Sequence, residues 1–361
     1  MKDLNLFQNA KIMITGHSGF KGSWLTSILL ELGAEVTGVS KDIPTNPANF
    51  IVLGLKNKIT HVNLDITNTE EVSKIVSKVQ PDYIFHLAAQ PLVRESVINP
   101  LQTWNSNSMG TISLLESIKN LKNSCAVVFI TSDKVYKNQE WVWGYRETDL
   151  LGGFDPYSAS KASAELAINS YVKTYFNNNN NSNIKIGIGR AGNVIGGGDW
   201  GVDRIIPDCI KSWAKNETVE IRSPLSTRPW QHVFEPLIGY LTLALKLTSD
   251  DSIHGEAFNF GPSDTNNHSV KDLVLEMSKH WSKVSWKDVS TSESNKNESN
   301  LLKLNCDKAK SFLDWQSIWD FDATVKHTSE WYKNFYNQND MIKYSKNQIN
   351  LYIEQLNDEN K

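Results

Sequence analysis

A glycine-rich turn between an apolar run and a helical pattern constrains the fold of this chain more than any other feature. Residues 11–15 read Lys-Ile-Met-Ile-Thr, and residues 16–22 read Gly-His-Ser-Gly-Phe-Lys-Gly. A helical pattern then continues to Leu32 and stops at Gly33, and residues 36–39 predict a second strand. A strand, a helix and a strand in this order require a right-handed crossover and a parallel sheet.

The three glycines of this turn are Gly16, Gly19 and Gly22, and each can be given a role in a dinucleotide-binding turn. One permits the tight turn, one lets the backbone approach a pyrophosphate, and one allows close packing of the helix. Their spacing is Gly-x-x-Gly-x-x-Gly, which differs from the usual Gly-x-Gly-x-x-Gly fingerprint. An ordinary turn between a strand and a helix therefore stays an alternative.

The alternation of strands and helices continues along the chain. Apolar runs at residues 59–62, 83–87 and 126–130 end in small or polar residues, as strands buried on both faces do. Ligands of an open doubly wound sheet bind beyond the carboxyl ends of its strands, so these ends should line one crevice. We predict an α/β fold, a Rossmann-type doubly wound parallel sheet with a smaller C-terminal substrate-binding domain.

The alternation fades after residue 190, and this change suggests the domain boundaries. The expected division is a cofactor-binding Rossmann domain at residues 1–190 with later returning segments, a mainly substrate-binding domain at 191–335 and a polar tail at 336–361. Three consecutive glycines, Gly196 to Gly198, predict a flexible loop. Residues 177–181 are all asparagine and predict a surface insertion, and residues 282–300 predict an exposed connection.

Composition limits the classes of function. The 361 residues are 40% apolar and 21% charged, as in an ordinary globular protein, and the net charge of −3 gives no electrostatic reason to bind nucleic acid. Cys125, Cys209 and Cys306 lack metal-ligand spacing and cannot form a disulfide framework, so we expect no metal and a reducing cytoplasmic location. No apolar run approaches the length of a membrane span.

Tyr157 and Lys161 stand four residues apart at a predicted helix start. Asp155 suits the N-cap and Pro156 the first helical position, so the phenol and the ammonium share one face. A phenol has a pKa of about 10. The helix N-terminus and a nearby ammonium both favour the phenolate, so we expect this pKa to fall toward neutral pH and Tyr157 to serve as a general base. The spacing alone is weak, because surface helices carry such pairs by chance.

Taken together, these segments resemble the extended short-chain dehydrogenase/reductases, and within them the nucleotide-sugar 4,6-dehydratases. The resemblance covers residues 8–335. The segments that carry it are the glycine turn with Ser23 and Trp24, Thr131-Ser132-Asp133-Lys134-Val135-Tyr136, and residues 140–147, 155–161, 190–200, 203–208 and 227–233.

The resemblance implies an NAD-using lyase that acts on a small nucleotide sugar. Tyr157 would take the proton of the sugar 4-hydroxyl as hydride leaves C4, with Ser132 and Lys161 orienting the oxygen. The resulting ketone would acidify C5. Water would then leave across C5 and C6, with Asp133 as the acid and Lys134 near C5, and the hydride would return to C6.

Lys134 is the point at which this chain departs from most of that family. Most members have Asp-Glu here and use the Glu as the C5 base, whereas Asp133-Lys134 resembles the branch that acts on CDP-glucose. An ammonium cannot accept a proton, so Lys134 is either neutral through desolvation or holds Asp133 and the enolate charge. A purely structural pairing with Asp133 is a third alternative.

The resemblance also assigns binding residues. The NAD residues are Gly16, Gly19, Phe20 and Gly22 at the pyrophosphate, Asp65 and Ile66 at the adenine, Leu87, Ala88 and Ala89 at the nicotinamide ribose, and Asn107, Tyr157 and Lys161. The substrate residues are Gln90, Asn193, Arg204, Arg228 and His232. Ser40-Lys41 stands where a ribose-binding carboxylate is expected, so NADP is an alternative, although internal recycling of the hydride favours NAD.

Two other functions compete with the dehydratase. A nucleotide-sugar 4-epimerase or reductase shares Ser132, Tyr157 and Lys161 but has no use for an acid at Asp133. A redox-sensing or scaffold protein keeps the fold but tends to lose the Tyr/Lys pair, which is intact here. The resemblance further implies a homo-oligomer, a dimer or a tetramer, built on the helices that carry Asn107 and Tyr157.

Overall fold

A computed structural model describes residues 4–177, 182–262, 268–290 and 302–358. Most of the asparagine tract and the second half of the connection at 282–300 lie outside these ranges. The strands are β1 (Lys11–Thr15), β2 (Glu35–Ser40), β3 (Thr60–Asn63), β4 (Tyr83–His86), β5 (Cys125–Ile130), β6 (Ile184–Ala191), β7 (Val194–Ile195), β8 (Val219–Ile221), β9 (Thr227–Arg228), β10 (Gln231–His232), β11 (Ala257–Phe260), β12 (His268–Ser269) and β13 (Trp286–Asp288).

Helices cover both faces and the C-terminal part of the fold. They are α1 (Phe20–Glu31), α2 (Asn49–Val52), α3 (Thr69–Val79), α4 (Val93–Ile98), α5 (Pro100–Trp104), α6 (Gly110–Ile118), α7 (Pro156–Tyr175), α8 (Ile205–Ala214), α9 (Phe234–Leu247), α10 (Val270–Ser278), α11 (Asp307–Leu313), α12 (Phe321–Tyr336) and α13 (Met341–Asp358). A π-helical turn, Asn105–Met109, joins α5 to α6. No described helix is both long and apolar enough to span a membrane.

Seven of the described strands form one parallel sheet in the order β3-β2-β1-β4-β5-β6-β11. The predicted doubly wound sheet is therefore confirmed. Central strands are buried on both faces: Val127 packs in one apolar layer and Val128 in the other, and both are fully buried. Burial of each such side chain contributes about 1.5–3 kcal/mol, which explains why β5 is apolar throughout.

The C-terminal residues are not the polar tail that the sequence suggested. α13 carries a buried stripe that includes Ile349 and Tyr352, and Trp331 on α12 donates its indole N–H to the Ser345 hydroxyl at 2.8 Å. The Tyr352 hydroxyl donates to the buried carboxylate of Glu235 at 2.7 Å. The tail prediction is wrong for residues 341–358, because apolar residues three and four positions apart give a mostly polar helix one buried face.

The expected flexible loop at Gly196 to Gly198 is also wrong. All three glycines are buried. A Cβ at Gly197 would lie 2.1 Å from Trp331 Cγ, and one at Gly198, where φ is +82°, would lie 2.4 Å from Asn49 Oδ1. These glycines allow the loop to pack closely against α12 and α2, and packing of this kind fixes a loop in place.

Candidate active site

The carboxyl ends of the central strands meet at one edge of the sheet. Gly16 follows β1 and donates its N–H to Val39 O at 2.8 Å, and Leu87 follows β4 and donates to Thr15 O at 3.0 Å. Thr131 follows β5 and donates to Gly189 O at 2.9 Å. The turn residues beyond these strands are therefore neighbours, as the topology of a parallel sheet requires.

The glycine turn closes tightly against the loop after β4. Gly16 has a φ of +78°, and a Cβ there would lie 2.6 Å from Ala88 N. A Cβ at Gly22 would lie 2.1 Å from Gly16 O, so this glycine lets α1 pack on the turn. A Cβ at Gly19 would meet only Gly16 O, at the ordinary distance of 3.4 Å. Gly19 therefore faces open space, in front of the first turn of α1.

This arrangement fits the pyrophosphate of a dinucleotide. Gly19 is the N-cap of α1 and provides no side-chain cap, and the first turn of α1 contains no acidic residue. The first backbone N–H groups of the helix and its positive dipole end favour an anion at that position. Phe20 is the first residue of this turn, and its side chain is half-buried.

The end of β2, where the resemblance implies a ribose-binding carboxylate, carries Ser40 and Lys41. The Ser40 hydroxyl lies 3.0 Å from Nδ1 of the buried His17, whose Nε2 lies 2.8 Å from His61 Nδ1. Burial, followed by the neighbouring His61, lowers the pKa of His17 to about 4, so this ring is neutral. The Lys41 ammonium lies 4.0 Å from the carboxylate of Asp65, which reduces the positive charge available to a 2′-phosphate.

The other residues assigned to the cofactor lie along the same edge. Asp65 accepts hydrogen bonds from the Thr67 N–H and hydroxyl at 2.9 and 2.8 Å. Ile66 is buried, and its Cγ2 lies 2.7 Å from the position of a Cβ on Gly110. The residues directly after β4 are half-buried; they are Leu87, Ala88 and Ala89.

The Tyr157 helix begins as the sequence predicts. Asp155 caps α7, because its carboxylate accepts the Ser158 N–H at 3.0 Å and the Ser158 hydroxyl at 2.6 Å, and Pro156 is the first helical residue. Tyr157 is 8% exposed and Lys161 7% exposed. The pair is therefore buried at the sheet edge, which excludes the interpretation as a solvated surface pair.

Burial reverses the expected pKa of the phenol. It raises the pKa of Tyr157 to about 12, and the nearby Asp133 charge acts in the same direction. Hydrogen bonding with Ser132 and the positive charge of Arg204 oppose this rise only in part. The expectation of a lowered Tyr157 pKa is thus wrong for this structure, because desolvation of a phenolate outweighs the favourable charges.

Lys161 is also shifted by its surroundings. Burial, followed by the positive charge of Lys21, lowers the pKa of Lys161 to about 8, while Glu165 opposes the shift. Its ammonium donates to Ile130 O at 3.3 Å. Burial likewise lowers the pKa of Lys21 to about 8, with Asp133 opposing and Arg204 reinforcing the shift. Lys21, in the glycine turn, therefore lies among the charged groups of the site.

The carboxylate of Asp133 is buried and only partly hydrogen-bonded. The Ser132 hydroxyl donates to Asp133 Oδ1 at 2.9 Å and accepts the Lys134 N–H at 3.2 Å. Asp133 is 3% exposed, and its Oδ2 has no hydrogen-bond partner among the described residues. A buried carboxylate oxygen without a partner is costly in a folded protein and is typical of a functional group. The half-buried Lys134 follows in the same short turn.

A buried ion pair packs beside the residues that the sequence assigns to catalysis. Glu165 on α7 accepts from Arg190 Nε at 2.9 Å and Nη2 at 2.5 Å, and from the Thr131 hydroxyl at 2.6 Å. Arg190 Nη1 also donates to the Tyr136 hydroxyl at 2.7 Å. Sequence reasoning missed this network, although Glu165 lies four residues after Lys161 on the same helix. It joins α7, β5 and β6 directly beneath the site.

Asn107 and Gln90 serve the scaffold. Asn107, in the π-helical turn, donates to the Ser160 hydroxyl at 2.9 Å and accepts the Gln90 N–H at 2.8 Å. The Gln90 side chain donates to Leu92 O at 3.0 Å and to the Thr103 hydroxyl at 2.9 Å. The Asn107 side chain therefore links the loop after β4 to α7, and the Gln90 side chain links this loop to α5; π-helical turns often support functional sites in this way.

The substrate residues assigned from the sequence lie on different elements of the fold. Arg204 lies in the site, where it donates to Asp199 Oδ2 at 2.7 Å and acts on Tyr157. Asn193 lies just beyond β6, and the half-buried Arg228 lies in β9, which pairs with β12.

His232 does not line the site. It is fully buried, accepts the Phe234 N–H at 3.3 Å and packs its ring 4.6 Å from that of Trp319. The ring belongs to an aromatic cluster of the C-terminal part, so its burial gives no support to the assignment to the substrate, which stays a prediction.

The doubly wound sheet, with Ser132, Tyr157 and Lys161 buried at its carboxyl edge, defines a short-chain dehydrogenase/reductase of the extended type. The family model described as GDP-mannose 4,6 dehydratase matches residues 13–328, and the chain belongs to that family.

Comparisons with individual proteins agree with this family. The chain is 43% identical to a CDP-glucose 4,6-dehydratase of Salmonella typhimurium, over 98% of this chain and 99% of that protein. A dTDP-glucose 4,6-dehydratase from Streptomyces venezuelae, solved with NAD and TYD bound, superimposes with a TM-score of 0.76 at 22% identity, covering 91% of this chain and 98% of that one. A dTDP-glucose 4,6-dehydratase from Bacillus anthracis, solved with NAD, gives a TM-score of 0.74 at 21% identity, covering 90% and 96%. At these identities the two structures show the fold.

Proposed function

We propose that this protein removes water from CDP-glucose to give CDP-4-dehydro-6-deoxyglucose, with NAD as its cofactor. The observation that carries the proposal is Oδ2 of Asp133 next to Ser132 and Tyr157, a buried oxygen for which the described residues provide no hydrogen-bond partner. An epimerase or reductase has no use for an acid at this point. The relative from Salmonella typhimurium, a CDP-glucose 4,6-dehydratase that matches nearly the whole chain, supports the choice of CDP-glucose.

The cofactor assignment rests on the glycine turn and on Ser40. Gly16, Gly19 and Gly22 would hold the pyrophosphate at the start of α1, and Ser40 would meet the adenosine ribose. When bound, NAD supplies a hydride acceptor for C4, a positive ring charge, and a hydride donor for C6. Because Lys41 faces Asp65, NADP is the less favoured cofactor.

The first chemical task of the protein is to take the proton of the 4-hydroxyl. Tyr157 accepts this proton, and Ser132 and Lys161 hydrogen-bond to the same oxygen and keep it in place. Since burial alone keeps the phenol protonated, positive charge must be close to it for the step to proceed. Lys161, Lys21 and Arg204 provide such charge from the protein.

The second task is to expel the 6-hydroxyl as water. The 4-ketone makes the C5 proton acidic, and a proton from Asp133 Oδ2 turns the hydroxyl into a good leaving group. Lys134, in the same turn, would accept the C5 proton as a neutral amine, and the ammonium so formed would stabilise the negative charge of the enolate and return the proton to C5 when the hydride reaches C6. Burial of the site excludes bulk water, which strengthens each of these interactions.

We also propose that the protein forms a homodimer through α5, α6 and α7. Apolar side chains are exposed on α5 and α7, where Leu101 is 84% and Leu166 63% exposed, and on the π-helical turn before α6, where Met109 is 51% exposed. An exposed apolar surface of this kind favours a protein partner. Assembly into a tetramer would need a second surface. No disulfide bond joins cysteines in the part of the chain that the structure describes, which is compatible with action in the reducing cytoplasm.

Incubation with nucleotide sugars tests the function. Purified protein with NAD is mixed with CDP-glucose, and separately with dTDP-, GDP- and UDP-linked hexoses, and 4-keto-6-deoxy sugar is detected by its absorbance in alkali. We expect product from CDP-glucose, with NAD unchanged in amount at the end. Absence of product from all four sugars would refute a dehydratase, and product only from another nucleotide would refute the assignment of the base.

A further inference from the structure

Oδ2 of Asp133 faces Gly192, a position whose backbone conformation does not require glycine. A Cβ placed on Gly192 would lie 3.0 Å from Asp133 Oδ2 and 3.8 Å from Pro229 Cγ. Gly192 follows β6 directly and does not have a positive φ, so other residues could adopt its backbone conformation. Backbone conformation explains the glycine at position 16 but not the one at position 192. A side chain at position 192 would instead fill the space in front of Asp133.

The elimination step needs that space. A proton passes from an acid to an oxygen when the two atoms lie about 2.6–3.2 Å apart. A methyl group on residue 192 would lie at this same distance from Oδ2 and would compete with the 6-hydroxyl for its place. Oδ2 is the oxygen that has no hydrogen-bond partner among the described residues, whereas Oδ1 accepts the Ser132 hydroxyl.

We propose that Gly192 is a positioning residue for the elimination step, because its missing side chain keeps Asp133 Oδ2 open to the 6-hydroxyl of the sugar. The inference rests on the proposed function. The oxidation at C4 depends instead on Ser132, Tyr157 and Lys161, none of which is among the nearest neighbours of a Cβ at Gly192. A side chain at this position should therefore separate the two halves of the reaction.

The variant Gly192→Ala tests this separation, and Gly187→Ala is its matched control. Gly187 lies on the same strand, β6, and a Cβ there would meet Leu243 at 3.1 Å, in the apolar core. The substrates are CDP-glucose and CDP-6-deoxyglucose, which can be oxidised at C4 but has no 6-hydroxyl to lose. Reduced nicotinamide is followed by absorbance and the 4-keto-6-deoxy product by its absorbance in alkali.

For Gly192→Ala we expect about a tenfold slower product formation from CDP-glucose, because a displacement below 1 Å in the acid or the hydroxyl costs one to two orders of magnitude. Reduced nicotinamide should accumulate during this turnover. Oxidation of CDP-6-deoxyglucose should stay within about twofold of wild type, and Gly187→Ala should match wild type with both substrates.

The outcomes are distinguishable. If the wild type forms no product from CDP-glucose, the proposed function fails. If the wild type is active and Gly192→Ala either matches it or loses C4 oxidation of CDP-6-deoxyglucose, the role of Gly192 is wrong. A second measurement needs no variant: wild-type protein should oxidise CDP-6-O-methylglucose at C4 but expel methanol at least tenfold more slowly than it expels water. Equal rates for methanol and water would also overturn the inference.

Discussion

Replacement of Glu165 by glutamine is the most direct test of how the fold supports the site. The substitution preserves the shape of the side chain but removes the charge opposite Arg190, whose side chain is 4% exposed and whose guanidinium binds both carboxylate oxygens. Removal of one partner of a buried ion pair leaves the other charge uncompensated and costs about 3–5 kcal/mol. We expect Glu165→Gln to lose this amount of unfolding free energy in urea titrations.

A surface pair provides the control for this measurement. Glu220 lies 2.8 Å from Lys287, and both side chains are more than half exposed. The same change, Glu220→Gln, should cost no more than about 1 kcal/mol, because solvent screens an exposed pair. If the two variants lose equal amounts of unfolding free energy, the conclusion that the Glu165–Arg190 pair holds α7 against β6 is refuted.

The same variant should alter the pH dependence of activity. The negative charge of Glu165 raises the pKa of Lys161, so its removal should bring that pKa below its value of about 8. A lysine whose pKa falls loses its proton, and its positive charge, at a lower pH. The alkaline limb of the pH–activity profile should therefore move to lower pH in Glu165→Gln, and a limb that moves to higher pH would contradict the electrostatic role.

Three further substitutions separate the roles of the site residues. Tyr157→Phe should lower C4 oxidation by about 10²–10⁴-fold, measured as reduced nicotinamide formed from CDP-6-deoxyglucose; near-normal oxidation would exclude Tyr157 as the base. Asp133→Asn should oxidise C4 but stall before water loss, and normal product formation would assign the acid elsewhere. Lys21→Met removes a charge that lowers the pKa of Lys161, so the alkaline limb should move to higher pH; an unmoved limb would place Lys21 outside the site.

Local sequence signals predicted those elements whose cause is local. The end of β1, the Gly16 turn and the start of α1 depend on residues within a short segment, and the structure confirms them. Asp155 caps α7 because its carboxylate reaches the N–H of Ser158, three residues away. Such interactions join residues a few positions apart, so the sequence alone predicts them.

Distant packing explains the predictions that failed. The resemblance assigns His232 to the substrate, but its segment does not reveal that Trp319, far along the chain, packs against its ring. The run of glycines around Gly197 predicts a flexible loop, but Trp331, far along the chain, packs against this residue. The pKa of Tyr157 rose for the same reason, since burial of the phenol is a property of the assembled fold that one helix does not reveal.

The positive charges around Tyr157 couple the protonation of the site to the binding of anionic ligands. Lys21, Lys161 and Arg204 are brought together at the sheet edge, and Lys21 and Lys161 each have a lowered pKa because of burial and neighbouring cations. An anion that binds among them would raise both values, since it stabilises the protonated form of each lysine. Diphosphate binding and lysine protonation are therefore linked in this site, and the charge that Tyr157 needs for proton transfer increases when anionic ligands are in place.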